Sequence, residues 1–269
     1  EVVEADYTVM ATGGIGGLYK HSTNFRHLTG DALAIAIRHG IELKDVHYVQ
    51  IHPTTLYNEE DRSFLISESV RGEGAVLRDK HGNRFVNELL PRDVVSQAIC
   101  KQMEKDGRPY VELSVTHLDP DFVRNRFPNI YRQCLKEGYD MTKEPIPVTP
   151  GQHYFMGGIK VNSDSETSMD GLYAAGETSC NGVHGRNRLA SNSLLESLVF
   201  AERAANHIAE TVEAGKPMPT AEIPFDGKTL NLYGVQKYFE HPDRTMRAAA
   251  VKAYSQFYED NEQRLEEIW

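Results

Sequence analysis

Histidine, arginine and glycine residues are concentrated in five short segments of this sequence, each beside a run of apolar residues. An arginine side chain pairs with a carboxylate through two parallel N–H donors, and a histidine ring can donate to the same group. Glycines suit loops that approach a ligand closely. In an acidic protein, this combination predicts a local site for a small anion such as a dicarboxylate, beside a glycine-rich cofactor loop. The segments are IHPTTLY (51–57), ISESVRGEGA (66–75), LPRDVV (90–95), GQHYFMGGI (151–159) and GETSCNGVHGRNRLASNSLLES (176–197).

Several common cofactor-binding, metal-binding and catalytic motifs are incomplete or absent in this sequence. Gly14 and Gly16 follow a strand-like run, but Tyr19 stands where the GxGxxG dinucleotide fingerprint needs its last glycine. No Walker A, HExxH or GxSxG motif occurs. The pairs His21/His27 and His47/His52 lack both i,i+4 spacing and a surrounding set of cysteines or carboxylates, so no metal is expected.

Composition limits the class of protein further. The chain has 269 residues, with 29 Lys and Arg against 39 Asp and Glu, which gives a net charge of −10. A global basic surface for nucleic acid is therefore absent. No apolar run approaches the roughly 20 residues that span a bilayer. Three widely spaced cysteines indicate no disulfide framework and favour a reducing cytoplasm.

Periodicity and turn residues predict the elements that must position these segments. A strand over 7–11 stops at two glycines, and a helix opens at Gly30-Asp31 with Leu33, Ile37 and Ile41 on one stripe. The further expectations are a hairpin over 74–86, a helix from Pro91 to Asp106 ended by Gly107, a helix start at Asp119-Pro120, a Pro-rich linker over 142–152, and a long helix from about Ser193 with a Ser193–Glu196 capping box. Together they predict an α/β core interrupted by an α+β insertion.

The ordered motifs resemble the L-aspartate oxidase family, within the succinate dehydrogenase/fumarate reductase flavoprotein superfamily. ATGG, TGDA, HPT, SExxRGEGA, PRDVV, HYxxGGI, GLYAAGE and HGxNRLASNSLLE match in sequence and spacing over about residues 1–215. The resemblance implies an incomplete Rossmann-like FAD-binding domain, an α+β capping domain and the start of a C-terminal helical bundle. The implied boundaries are 1–44 and 153–216 for the FAD-binding domain, 45–152 for the capping domain and 217–269 for the helical domain.

The same resemblance implies the site residues. Substrate would be bound by His52, Ser67, Glu68, His153 and Arg188, of which the two histidines and Arg188 clamp the two carboxylates. Arg92 would transfer a proton within a relay, with Glu68 or Glu73 as its partner, because an isolated arginine has too high a pKa to act alone. Arg71, Arg78 and Arg84 are expected to be solvated or structural, whereas His184 lies inside a matched segment. The positions implied for FAD are Ala11, Thr12, Gly13, Gly14, Asp31, Glu177, Ser193 and Leu194.

The implied activity is FAD-dependent oxidation of L-aspartate to iminoaspartate, the first step of de novo NAD biosynthesis. Reoxidation would be by oxygen or fumarate, and quinolinate synthase would receive the product. The chain starts without Met, and the family's GxGxxG unit would precede Glu1, so we expect a piece of a longer protein that alone binds FAD weakly and is inactive. Two alternatives stay open: a succinate dehydrogenase or fumarate reductase flavoprotein subunit, and a non-catalytic dicarboxylate-binding module.

Overall fold

The fold is given by a computed structural model, which describes residues 5–58, 62–190 and 192–214. It is a mixed α/β structure, and the helical domain predicted over 217–269 lies outside the described residues. The strands are β1 (Thr8–Met10), β2 (Leu43–Lys44), β3 (Val49–Leu56), β4 (Val76–Arg78), β5 (Val111–Ser114), β6 (Ile146–Phe155), β7 (Gly158–Lys160), β8 (Leu172–Ala174) and β9 (Ser179–Cys180). The helices are α1 (Asp31–Arg38), α2 (Glu68–Gly72), α3 (Arg92–Asp106), α4 (Pro120–Arg126), α5 (Pro128–Lys136) and α6 (Asn192–Glu213).

The chain divides into two compact units. Among the described residues, the first unit comprises 5–18, 26–50, 154–190 and 192–214, and the second comprises 19–25, 51–58 and 62–153. The second unit therefore differs from the predicted insertion over 45–152 at its start and includes the short segment 19–25. Its boundaries at 50/51 and 153/154 fall inside β3 and β6, where no change of composition marks them in the sequence.

A four-stranded sheet forms the framework of the second unit. Its order is β3-β6-β5-β4, and β5 runs antiparallel to both of its neighbours. One apolar cluster packs the sheet against α3, α4 and α5, and it includes Leu77, Ile99, Leu113, Ile146 and Cys134. This core gives α2 and the start of α3 a rigid base.

Local sequence accounts for two of the helices in this unit. Asp119 caps α4, because its carboxylate accepts the N–H of Phe122 at 2.7 Å, and Pro120 occupies the first turn. Gly107 ends α3 in the left-handed conformation at φ 64°. The predicted start of α4 and end of α3 are both confirmed.

The prediction of a Pro-rich linker over 142–152 is wrong, because most of this segment is β6, an interior strand of the sheet. Ile146 and Val148 are fully buried, and the Pro147 carbonyl accepts the N–H of Tyr57 at 3.0 Å. Proline lacks an N–H but keeps its acceptor, so pairing with distant strands overrides its local preference. The hairpin over 74–86 is also shorter than predicted: its turn forms at Gly82, but β4 pairs with β5.

The first unit contains two small sheets and two helices. β1 and β8 pair in parallel, while β2, β7 and β9 form a separate sheet in the order β2-β7-β9. The predicted stripe of α1 is confirmed, since Leu33, Ile37 and Ile41 are all buried. Gly157 permits the close approach of two chain segments, because a Cβ there would lie 2.2 Å from the carbonyl oxygen of Asp45. Within the described ranges, no helix is long and apolar enough to cross a membrane.

Candidate active site

His52 is a buried imidazole on β3 of the second unit, with 1% of its surface exposed. Its Nδ1 lies 3.2 Å from the N of Thr54 and 3.0 Å from the Thr54 carbonyl oxygen. Its Nε2 is buried and has no hydrogen-bond partner among the described residues. Burial, with the positive charge of Arg92 and the nearby His153 and Arg71, lowers the pKa of His52 well below its ordinary value. The ring is therefore neutral at pH 7 and has one nitrogen available for a ligand.

His153 lies on β6 beside His52, with 5.4 Å between the ring centroids. Its Nδ1 lies 2.8 Å from the hydroxyl oxygen of Thr23, which belongs to the segment 19–25 of the same unit. The structure thus brings together two of the predicted carboxylate-binding residues from two adjacent strands.

Arg92 is the first residue of α3 and points to the first residue of α2. Its Nε and Nη2 both donate to Oε2 of Glu68, at 2.9 and 2.6 Å. Arg92 has 13% of its side chain exposed, whereas Glu68 has 53%. This geometry joins a shielded cation to a carboxylate that reaches solvent, as a proton relay requires.

Of the two carboxylates predicted for the relay, only Glu68 is paired with Arg92. Glu73 forms an ion pair with Arg126 at 3.0 Å, on the exposed surface. Ser67, the residue before Glu68, caps α2 by accepting the N–H of Ser69 at 3.2 Å. The cap fixes where α2 begins and therefore where Glu68 points.

Arg71 is the residue that sequence reasoning missed. It is 2% exposed, which excludes the solvated alternative of the prediction and leaves the structural one. Its Nη1 donates to the Glu88 carbonyl oxygen at 2.6 Å, while its Nε and Nη2 have no partner among the described residues. Burial lowers the pKa of Arg71, and the Glu68 carboxylate opposes that shift. Its i,i+3 spacing from Glu68 on α2 was the signal in the sequence.

Arg188 belongs to the first unit, where several groups hold its guanidinium. Nη1 donates to Oε1 of Gln50 at 2.9 Å, and Gln50 donates back to the Arg188 carbonyl oxygen at 2.8 Å. Nε donates to the hydroxyl of Ser193. The guanidinium carbon lies 4.0 Å from the centroid of the Tyr154 ring, which is a cation–π distance. These contacts orient Arg188 from three directions.

Residues 11–14 follow the end of β1, and Glu177, another position predicted for FAD, lies against Gly14 of this loop. Glu177 accepts the N–H of Phe155 at 2.8 Å, and a Cβ at Gly14 would lie 2.5 Å from its carboxylate oxygen. Burial raises the pKa of Glu177 to about 7. Thr12 and Thr178 share a hydrogen bond of 2.9 Å between their hydroxyl oxygens. A side chain at position 14 would therefore displace the Glu177 carboxylate from its present position against the loop after β1.

Other positions in this group are arranged differently. Asp31, the first residue of α1, accepts a hydrogen bond from the Thr29 hydroxyl at 2.8 Å. Ala11, Thr12 and Leu194 are exposed, Gly13 is partly exposed and Ser193 is buried.

The capping box predicted for α6 does not form. The helix begins at Asn192, one residue before Ser193. The Ser193 hydroxyl donates to the Ala190 carbonyl oxygen at 3.3 Å as well as accepting from Arg188. Glu196 accepts from Asn181 and lies 3.9 Å from Nε2 of His184. Side-chain contacts within the 181–196 region therefore replace the local cap.

No group of three or more histidine, cysteine or acidic side chains that could hold a metal ion occurs in the described part of the chain. The side chains that converge in the second unit are instead arginines and histidines beside one carboxylate. Such a set of side chains suits an anionic ligand, because arginine and histidine present N–H donors to it rather than acceptor oxygens.

A family profile for the FAD binding domain matches residues 1–194. The chain therefore belongs to this family of flavoproteins. It is 59% identical over 207 residues to an L-aspartate oxidase of Clostridium acetobutylicum, covering 76% of this chain and 48% of that protein. It is 48% identical over 216 residues to an L-aspartate oxidase of Bacillus subtilis, covering 78% of this chain and 40% of that protein.

Among solved structures, a variant of E. coli quinol fumarate reductase aligns with a TM-score of 0.73 and 33% identity. The alignment covers 92% of this chain and 46% of that chain. The resemblance predicted from the ordered motifs is confirmed by these proteins. The chain spans about half the length of the curated relatives that it matches, with 48% of the first one covered.

Proposed function

We propose that this chain supplies the substrate-binding part of an FAD-dependent enzyme that oxidises L-aspartate to iminoaspartate in NAD biosynthesis. The observation that carries the proposal is the buried, neutral His52, whose unpartnered Nε2 lies among Arg92, Arg71 and His153. Donors of this kind favour a carboxylate over a neutral ligand. Identity of 59% to an L-aspartate oxidase supports L-aspartate as that carboxylate.

The binding roles follow from the donors. Nδ1 of His52 lies within hydrogen-bond distance of both the carbonyl oxygen and the N–H of Thr54, at 3.0 and 3.2 Å. We propose that a bound carboxylate selects the tautomer in which Nδ1 accepts the Thr54 N–H, because the hydrogen is then on Nε2 and can be donated to the substrate. His153 acts with it, and Arg188 binds carboxylate through its guanidinium. Ser67 and Glu68 contribute from the start of α2. Fixing both carboxylates of a small substrate aligns the bond to be oxidised, and such positioning lowers a barrier by about 7–11 kcal/mol.

Proton transfer is assigned to Arg92. Its two N–H groups on Glu68 connect it to a carboxylate that reaches solvent, so a proton lost to substrate is replaced through Glu68. With fumarate as the oxidant, Arg92 would supply the proton that, together with a hydride from the reduced flavin, converts fumarate into succinate. Arg71 adds a buried positive charge that favours the dianionic substrate. Glu73, paired with Arg126, is left out of the proposed relay.

Flavin binding is assigned to the first unit. FAD, when bound, accepts the hydride that leaves C2 of L-aspartate. Ala11 and Thr12 are exposed in the loop after β1, where a ligand can approach the backbone, and Gly14 of the same loop lies against Glu177. Ser193 and Leu194 open α6, whose N-terminal N–H groups and positive dipole suit the negative charge of a reduced flavin. These residues fit the group, and we propose non-covalent binding that is weak in this chain alone.

The proposal extends to the setting of the enzyme. Iminoaspartate is unstable in water, so we propose quinolinate synthase as the protein that consumes it. Oxygen or fumarate would reoxidise the flavin, and the three free cysteines favour a cytoplasmic site of action.

The test uses the full-length enzyme that contains this chain. L-aspartate should produce hydrogen peroxide in the presence of FAD and oxygen, and succinate with a quinone acceptor should not support turnover. Quinone-linked succinate oxidation without aspartate oxidation would assign the protein to the alternative, a succinate dehydrogenase or fumarate reductase flavoprotein. The likeness to quinol fumarate reductase, with a TM-score of 0.73, is the observation that keeps this alternative.

A further inference from the structure

Thr23 is held firmly beside β6 by contacts on both sides of it. The N–H of Thr23 donates to the Gln152 carbonyl oxygen at 2.9 Å, and the N–H of Gln152 donates to the His21 carbonyl oxygen at 2.8 Å. Ser22 and Asn24 both donate from their side chains to Oε1 of Gln152, at 2.8 and 2.9 Å. The segment 22–24 is therefore fixed to the residue that precedes His153.

The Thr23 hydroxyl has two neighbours to which it can donate. Its oxygen lies 2.8 Å from Nδ1 of His153 and 3.4 Å from the Gln152 carbonyl oxygen. That carbonyl already accepts the backbone N–H of Thr23. The shorter contact is at the normal distance for a strong hydrogen bond, and the longer one is at the limit. If Nδ1–H donated to the Thr23 oxygen instead, the hydroxyl hydrogen would be left with only the 3.4 Å contact to a carbonyl that already accepts an N–H. The direction that uses the better acceptor places the hydroxyl hydrogen on the line to Nδ1.

This direction decides the tautomer of His153. A neutral imidazole has one donor and one acceptor nitrogen, so an Nδ1 that accepts leaves the hydrogen on Nε2. Nε2–H is the form that donates to a carboxylate. Without the hydroxyl, the ring is free to populate the tautomer whose Nε2 carries a lone pair, which repels a carboxylate. Threonine also restricts the side-chain rotation that would turn the hydroxyl away.

We propose that Thr23 is a positioning residue that holds His153 in the tautomer able to bind substrate carboxylate. This inference rests on the proposed function, because it takes the ligand of His153 to be a dicarboxylate. It assigns a role to the segment 19–25, which the sequence motifs did not connect with the site.

The first test needs no substitution in Thr23. Nitrogen-15 NMR of the histidine rings in this chain should show the His153 hydrogen on Nε2, with His153→Gln identifying its signals. A spectrum with the hydrogen on Nδ1 would overturn the inference, whatever the enzyme does.

The second test compares two variants of the full-length enzyme. Thr23→Val keeps the shape of the side chain and removes the hydroxyl, so KM for L-aspartate should rise about tenfold, with a smaller change in kcat. Thr23→Ser keeps the hydroxyl and should restore most of the affinity. In the NMR experiment, Thr23→Val should mix the two tautomers and Thr23→Ser should not.

Two outcomes separate this inference from the proposed function. If L-aspartate is not oxidised but Thr23→Val still weakens succinate binding and mixes the tautomers, the proposed function fails and the positioning role stands. If L-aspartate is oxidised and Thr23→Val leaves both KM and the tautomer unchanged, the positioning role fails alone. Thermal melting of each variant shows whether it is folded.

Discussion

The two units of the chain differ in how their polar groups are satisfied. In the second unit, His52 Nε2 and two nitrogens of Arg71 are buried without a partner among the described residues. In the first unit, Arg188 donates to Gln50 and Ser193, and Glu177 accepts from Phe155. Buried donors without partners destabilise a fold by about 1–3 kcal/mol each, so such groups point to a ligand. In the second unit these unpartnered donors lie at the proposed anion site, whereas in the first unit the Arg188 and Glu177 side chains are paired within the unit and the buried Nε2 of His184 also lacks a hydrogen-bond partner among the described residues.

Apolar surface shows the opposite trend. The second unit buries its large core around Leu77, Ile99 and Phe127. In the first unit, α6 exposes Leu194, Leu195 and Leu198, with 79%, 61% and 70% of each residue accessible. A separate measurement tests the proposal that the chain alone binds FAD weakly. After mixing with excess FAD and desalting, the chain should show no flavin absorption band, and a retained stoichiometric band would contradict that proposal.

Replacing Arg92 should have the largest effect on the second unit. Arg92→Lys in the full-length enzyme loses the two-pronged contact with Glu68 and should lower kcat for fumarate reduction about 10²–10⁴-fold, the usual contribution of a positioned proton donor. Arg126→Lys, which alters the exposed pair with Glu73, is the matched control. Full activity of a folded Arg92→Lys enzyme would remove Arg92 from the mechanism, whereas loss of activity with the fold intact would exclude the non-catalytic module.

Comparing the two carboxylates around α2 sharpens the assignment of the relay. Glu68→Gln should lower kcat about a hundredfold, because the replacement cannot pass a proton to Arg92. Glu73→Gln breaks only the surface pair with Arg126 and should leave kcat within about twofold, since such pairs contribute little. Steady-state kinetics of both variants show which carboxylate serves the relay. Equal decreases in kcat would put Glu73 back into the relay.

In the first unit, Glu177 should make stability depend on pH. Its pKa is about 7 in the fold against an ordinary value of 4.5, so the folded protein binds more protons between these values. The contribution of Glu177 to the free energy of unfolding should therefore be largest below pH 4.5. It should fall as the pH rises to about 7, by at most roughly 3 kcal/mol.

Denaturant unfolding of this chain at several pH values measures the slope of the free energy of unfolding against pH. Glu177→Gln should flatten the slope, while Glu202→Gln, on an exposed position of α6, should not. An unchanged slope in Glu177→Gln would show that other groups produce it.

The smallest effect is expected at Gln50. Gln50→Leu removes both hydrogen bonds to Arg188 but leaves Ser193 and Tyr154 in place, so KM for L-aspartate should rise about tenfold. Gln50→Glu, which keeps an acceptor for the guanidinium, should lose less. If Gln50→Leu has no effect on KM, the arrangement of Arg188 does not depend on this contact.

Local signals predicted the elements whose ends are set by neighbouring residues. Asp119 and Gly107 marked the start of α4 and the end of α3, and the α1 stripe was visible as periodicity. β6 could not be predicted, because its prolines suggest a linker and only pairing with distant strands makes it a strand. Contacts that join distant positions are not visible in local patterns.

The candidate site residues also divide into those that local motifs indicated and those that depend on contacts between distant positions. His52, Arg92 and His153 were found because they lie in ordered motifs that resemble a known family. Arg71 was missed because its burial depends on the carbonyl of Glu88, 17 positions away. Thr23 was missed because its partner, His153, lies 130 positions away.

The most direct test of the anion site in the second unit is a titration of this chain with succinate, followed by NMR of the His52 and His153 rings. Succinamide, which has the same carbon skeleton without charge, is the control ligand. We predict saturable shifts of both rings with succinate and L-aspartate and no shift with succinamide. If succinate leaves both rings unchanged in the folded chain, the site proposed around His52 is contradicted.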